Sequence, residues 1–153
     1  MTKVRMGMVG GGEGAFIGAV HRIAAAMDGE IELVCGAFSS DPERAKRSGA
    51  VLDLPADRVY PDYLTMMEAE AALPVNERMQ FVAIVTPNST HYPVATAALS
   101  AGFHVLSDKP ATLNLEEALN LRQQVEASGL LYGLTHTYTG YPLVKEARER
   151  VAA

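Results

Sequence analysis

Short apolar runs alternate along the whole chain with stretches whose apolar residues recur at helical spacing. Val4 to Val9 is a run of strand length, closed by glycines. From Ile17 to Met27 the residues Ile17, Val20, Ile23, Ala24 and Met27 follow a helical period, and Asp28-Gly29 ends it. Ile31 to Phe38 is apolar at nearly every position, as a strand covered on both faces would be. A second helix opens in one of two registers: Asp41 as cap with Pro42 at the first helical position, or a capping box from Ser40 to Glu43. Residues 52–61 read as loop with a short strand at Arg58 to Tyr60, and Asp62 to Leu73 reads as helix. Phe81 to Val85 is a strand, and the turn from Thr86 to Thr90 leads into a helix through Ser100 that Gly102 closes. His104 to Ser107 is the next strand, and Asn114 with Glu117 starts a helix to Ser128 capped by Gly129. Leu130 to Leu134 is the last strand, and Pro142 begins a helix still running at Ala153. Strand and helix in strict alternation predict an α/β fold, a doubly wound parallel sheet with helices on both faces.

The chain has no internal repeat, low-complexity tract or linker, so residues 1–153 are expected to form one domain. A helix open at its last residue suggests a truncated chain. Thirteen Lys and Arg against 18 Asp and Glu give a net charge of −5, with no basic footprint for nucleic acid or an anionic membrane. Lys3 and Arg5 ahead of apolar residues resemble a leader, but Glu13 and a cluster of glycines interrupt the apolar stretch. With Cys35 as the only cysteine, no internal disulfide can form, and a cytoplasmic location is the expectation. His21, His91, His104 and His136 share no ligand spacing, so no metal site is expected.

The first chemical signal is Gly10-Gly11-Gly12-Glu13-Gly14, between a strand and a helix. Glycines there permit a tight turn and let backbone N–H groups approach a pyrophosphate at the positive end of a helix. Gly10 and Gly12 give the first two glycines of a dinucleotide fingerprint. The third position falls either on Ala15 or, after three extra residues, on Gly18. Gly10, Gly12, Glu13, Gly14, Ala15, Phe16 and Ile17 are the candidate contacts, against the plainer reading of a ligand-free glycine loop. At the end of the second strand, where a carboxylate often holds the adenosine ribose, stand Ser39 and Ser40. Losing that carboxylate removes repulsion of a 2′-phosphate, which Ser39, Ser40 and Arg44 could accept; between NAD and NADP this leans toward NADP. The competing reading is that Ser40 and Asp41 merely cap the helix.

Two further segments, Val85-Thr86-Pro87-Asn88-Ser89-Thr90-His91 and Ser107-Asp108-Lys109-Pro110, join Gly18-Ala19-Val20-His21 and Asp41-Pro42-Glu43-Arg44-Ala45 in a larger pattern. Together they resemble the N-terminal Rossmann domain of the glucose–fructose oxidoreductase / inositol dehydrogenase / rhizopine-catabolism (Gfo/Idh/MocA) family. The resemblance implies that Thr86, Pro87, Asn88 and His91 lie along the nicotinamide half of NAD or NADP. It also implies that Asp108, Lys109 and Pro110 stand for a Glu-Lys-Pro motif whose lysine lies near the reacting carbon, Asp108 being a departure. Independently of the family, Lys109 falls at the C-terminal end of a strand, the ligand edge of an open sheet, with Pro110 restricting it to extended geometry. An ammonium there could hold a substrate hydroxyl and its developing oxyanion; the alternative is a surface lysine in a turn. His136, Tyr138 and Tyr141 lie past the last strand on the same edge, as substrate-side candidates or as cover for an interdomain seam.

The resemblance implies an NAD(P)-dependent dehydrogenase acting on a sugar, polyol or related CH–OH/C=O substrate, and a homo-oligomer at full length. It implies further catalytic residues in a C-terminal α/β domain absent from this chain, which alone should bind cofactor but turn over little. An exposed apolar patch is expected at the last strand and the helix from Pro142, where that domain would dock. A stand-alone regulatory dinucleotide-binding module is the competing reading. A methyltransferase with a similar glycine turn leaves Asp108-Lys109-Pro110 unexplained.

Overall fold

The structure, a computed structural model, describes residues 2–152. Five parallel strands form its sheet: β1 (Val4–Gly10), β2 (Ile31–Ala37), β3 (Phe81–Val85), β4 (His104–Ser107) and β5 (Tyr132–Leu134), in the order β2-β1-β3-β4-β5. The helices are α1 (Phe16–Ala26), α2 (Pro42–Val51), α3 (Tyr63–Ala72), α4 (His91–Ser100), α5 (Leu115–Ser128) and α6 (Pro142–Ala152). The predicted strand at Arg58 to Tyr60 shrinks to one parallel bridge, Val59 to Gly36, after a single 3-10 turn at Ala56–Arg58. The last strand starts at Tyr132 rather than Leu130. Ala153, to which the sequence extends the final helix, lies outside the described residues.

Side chains on the strands alternate between two cores, as period two requires. Met6, Met8, Ala83 and Val85 face one side with Phe38, against Ile17 and Ala25 of α1. Val82, Ile84 and Val105 face the other, against Met66 and Met67 of α3, Val94 and Ala98 of α4, and Leu121 of α5. The sheet is therefore doubly wound. The connection after β1 runs to β2 and the connection after β3 runs to β4, in opposite directions, which opens a crevice between the C-terminal ends of β1 and β3. No helix among the described residues is long and apolar enough to cross a membrane. Leu131, Leu143 and Val151, in the region where an apolar patch is expected, are exposed.

The caps decide where the helices begin. Asp41 takes the first of the two registers: its Oδ1 accepts from the backbone N–H of Glu43 at 2.9 Å and of Arg44 at 3.1 Å. Asn114 Oδ1 accepts from Glu117 N–H at 2.9 Å. Asp62 accepts from both the N–H and the hydroxyl of Thr65, at 2.9 and 2.8 Å. Those donors hold the Asp62 carboxyl below its usual value. A carboxyl lowered by folding stabilises the fold fully above its unfolded pKa, near 3.8, and the contribution fades as pH falls through the lowered value. Asp62→Ala should thus lower stability by about 1 kcal/mol at pH 7. Urea unfolding of both chains should show that difference shrinking below about pH 4. A difference unchanged between neutral and strongly acid pH would contradict this account.

Candidate active site

The glycine turn at the end of β1 begins with Gly10 at φ +83° and Gly11 at φ +71°, a left-handed path that side chains resist. α1 then crosses the turn so closely that a Cβ on Gly18 would stand 2.4 Å from the Gly11 Cα. Gly18, not Ala15, therefore fills the close-packing role of the third fingerprint glycine. Arg22 secures the approach from the next turn of α1, its guanidinium donating to Gly11 O at 2.7 Å.

Unlike α2, α3 and α5, α1 starts without a side-chain cap: its N-cap is Ala15. Its first N–H groups have no partner within the helix and are aimed, with the positive end of the dipole, at the crevice. Of the first helical residues, Phe16 is 82% exposed and the Ile17 side chain packs into the core. Glu13 is committed elsewhere: its N–H donates to Ser48 Oγ at 2.9 Å, and its carboxylate pairs with Arg47 at 3.1 Å on the surface. Ser48 in turn donates to Arg44 O at 2.7 Å, which fastens the glycine turn to α2.

A cleft of about 670 Å³ runs along this edge, within the range of cofactor sites. Of the residues singled out from sequence, Gly10, Gly12, Glu13, Ala15, Ser39, Ser40, Thr86 and Pro87 line it. Gly14, Arg44, Asn88, Asp108, Lys109 and Pro110 do not. Ser39 Oγ also accepts from Asp41 N–H at 3.1 Å, so the hydroxyls help to set the α2 cap as well. Sequence reasoning missed the opposite lip, Pro61, Asp62 and Tyr63. It comes from the start of α3, and only the cap at Asp62 was a signal there. Thr86 lines the cleft, and its Oγ1 is buried without a hydrogen-bond partner, as are Tyr132 OH and Thr135 Oγ1.

Beyond the end of β4 the exposed Lys109 follows Asp108, whose N–H donates to Ile84 O at 2.9 Å; the Lys109–Pro110 peptide is cis. His21 lies buried on α1 close to Asp108; burial lowers its pKa, and the Asp108 charge partly opposes the shift. His91 corrects the sequence reading. It is 1% exposed, with Nδ1 2.6 Å from Pro110 O and Nε2 2.9 Å from Thr86 O, so its ring is turned inward and does not line the cleft. Past β5, the rings of Tyr138 and Tyr141 pack on each other at 5.8 Å and, like His136, stay exposed. Among the described residues no three His, Cys, Asp or Glu side chains come together as a metal site would need.

An uncapped helix behind a left-handed glycine turn, at the switch point of a parallel sheet, is the architecture of a Rossmann domain. The chain belongs to the Gfo/Idh/MocA family, described as an oxidoreductase family with an NAD-binding Rossmann fold, whose model matches residues 4–136. It is 37% identical to the uncharacterized oxidoreductase YfiI of Bacillus subtilis, over 97% of this chain and 37% of that one. It is 30% identical to the UDP-N-acetylglucosamine 3-dehydrogenase of Acidithiobacillus ferrooxidans, over 97% of this chain and 42% of that one. An inositol dehydrogenase homolog from Azotobacter vinelandii, solved with NADH and myo-inositol, superposes with a TM-score of 0.93 at 42% identity, over 99% of this chain and 39% of that one. The chain thus spans about two fifths of the length of these proteins.

Proposed function

We propose that the chain is the cofactor-binding part of a dehydrogenase that moves hydride between a nicotinamide and a CH–OH/C=O carbon of a polyol or sugar-like substrate. The observation that carries the reading is the cleft itself. It joins an uncapped helix N-terminus, a turn in which Gly10, Gly11 and Gly12 leave no room for a Cβ, and the orphaned Thr86 hydroxyl. These residues fit a dinucleotide. The α1 N–H groups and the glycine turn would hold its pyrophosphate, Ser39 and Ser40 its adenosine ribose, and Thr86 and Pro87 its nicotinamide half. When bound, the dinucleotide supplies the hydride donor or acceptor. Lys109 is the catalytic candidate: its ammonium donates a hydrogen bond to the substrate oxygen and stabilises the charge that develops there. The polyol class is supported by the inositol dehydrogenase homolog and the sugar class by the UDP-N-acetylglucosamine 3-dehydrogenase. The remaining catalytic groups, a homo-oligomeric assembly and a cytoplasmic setting are assigned to the whole protein.

For the cofactor's second phosphate, two observations weigh against the lean to NADP. Asp62, an acidic residue, lines the same cleft as Ser39 and Ser40, and the Azotobacter protein was solved with NADH and with NAD+. We take NAD(H) as the cofactor. Fluorescence titration with NADH and NADPH should show tighter NADH binding, and Ser39→Asp should widen the preference by about tenfold or more by adding charge at the ribose. Preferential NADPH binding would reverse the assignment. Binding of neither, by this chain or by a longer polypeptide containing it, would overturn the dehydrogenase reading.

A further inference from the structure

We propose that His91 is a positioning residue, a wedge that locks the Lys109–Pro110 turn to the Thr86–Pro87–Asn88 turn and so sets where the Lys109 ammonium stands. The proposal rests on the dehydrogenase reading, because it matters to the reaction only if Lys109 does.

Three observations carry it. First, His91 opens α4 yet is almost wholly buried, which is costly for an imidazole unless both nitrogens are served. Second, each nitrogen lies within hydrogen-bond reach of a backbone carbonyl from a different segment: Nδ1 is 2.6 Å from Pro110 O and Nε2 is 2.9 Å from Thr86 O. A carbonyl only accepts, so a neutral imidazole donates to one of the two and packs against the other, and only a doubly protonated ring donates to both. Third, those carbonyls belong to the residue after Lys109 and to the cleft residue with the orphaned hydroxyl. One ring therefore fixes two turns that follow adjacent strands β3 and β4. Lys109 itself is exposed, and the backbone before it is held by Asp108 N–H donating to Ile84 O at 2.9 Å and Ser107 Oγ donating to Asp108 O at 3.0 Å. Without the wedge a long, flexible ammonium would sample many positions, and precise placement is what reaction geometry demands.

The test uses this chain in two arms. His91→Phe keeps the ring and removes both contacts; His91→Gln keeps a donor and serves if the phenylalanine variant fails to fold. In the first arm, amide hydrogen exchange without cofactor should rise about tenfold or more across residues 86–90 and 108–112 in His91→Phe, partly recovering in His91→Gln, with β1 and α5 unchanged. Exchange rising equally everywhere, or nowhere, overturns the wedge. In the second arm the four lysines, Lys3, Lys46, Lys109 and Lys145, are reductively ¹³C-methylated, which keeps their charge. The Lys109 signal is identified by its loss in Lys109→Arg.

NADH should shift the Lys109 signal in the parent chain, and His91→Phe should at least halve that shift while NADH affinity changes less than about threefold. If the parent binds NADH and His91→Phe responds as it does, positioning by His91 fails and the dehydrogenase reading stands. If neither NADH nor NADPH binds the parent or a longer polypeptide containing it, that reading fails and takes the positioning role with it, whatever the first arm shows.

Discussion

Gly12→Asp is expected to weaken NADH binding by at least about 100-fold, equivalent to roughly 2.7 kcal/mol, while the far-UV circular dichroism of the chain stays native. Sterics contribute first. A Cβ on Gly12 would stand 2.7 Å from Ser48 Oγ and 2.9 Å from the backbone oxygen of Phe38, so the turn must move away from β2 and strain the bond from Glu13 N–H to Ser48. Electrostatics contribute more. The new carboxylate would sit at the only helix start of the glycine turn, where uncapped N–H groups and the dipole favour an anion, and would occupy the place meant for the pyrophosphate. It would stabilise α1 while excluding the ligand, so binding and folding should part company. Gly14→Asn is the control: its Cβ meets nothing within 4 Å, and asparagine tolerates the left-handed φ of +80°. That variant should bind NADH within a few-fold of the parent. A Gly12→Asp chain binding as tightly as the parent would show that the cleft is not the cofactor site.

What could be read from the sequence was whatever depends on local chemistry. The strand runs and helix periods placed every strand and helix, because apolar period and cap residues act over a few positions. The choice between Ala15 and Gly18 could not be made, since it depends on how closely α1 crosses the turn, a distance that no spacing encodes. His91 was misread for a related reason: a residue at a helix start beside a ligand turn can face either way, and here the carbonyls of Thr86 and Pro110 draw it inward. Asp62 was legible as a helix start but not as a cleft wall, because that role exists only once α3 begins beside the end of β2. Least legible was Glu70. It stands among apolar neighbours on α3, and its partners come from a loop, a bridge segment and the start of β3's approach.

Glu70→Ala should lower stability by roughly 3–5 kcal/mol, the usual cost of leaving one member of a buried ionic network uncompensated. Its side chain is fully buried, yet every acceptor site is used. Oε1 and Oε2 each accept from the Arg58 guanidinium at 2.9 Å, Tyr60 OH donates to Oε1 at 2.8 Å, and Met79 N–H donates to Oε2 at 2.8 Å. Removing the carboxylate orphans all of these donors at once, and Arg58, 19% exposed in its side chain, cannot fully recover water. The melting temperature should fall by roughly 6–20 °C for a chain of this size. Replacing the three side chains together, by Glu70→Leu, Arg58→Met and Tyr60→Phe, should recover much of the loss, since an apolar trio leaves no charge uncompensated. A second readout lies beside the network. Burial, and then the Glu70 charge, push the Cys35 thiol well above its usual pKa, so this lone cysteine reacts only when the chain opens. Its labelling rate in Glu70→Ala should rise by roughly two to three and a half orders of magnitude, tracking the same 3–5 kcal/mol. A melting point within about 2 °C of the parent would mean instead that water replaces the carboxylate, and that the bonds seen between α3 and its neighbours add little to the fold.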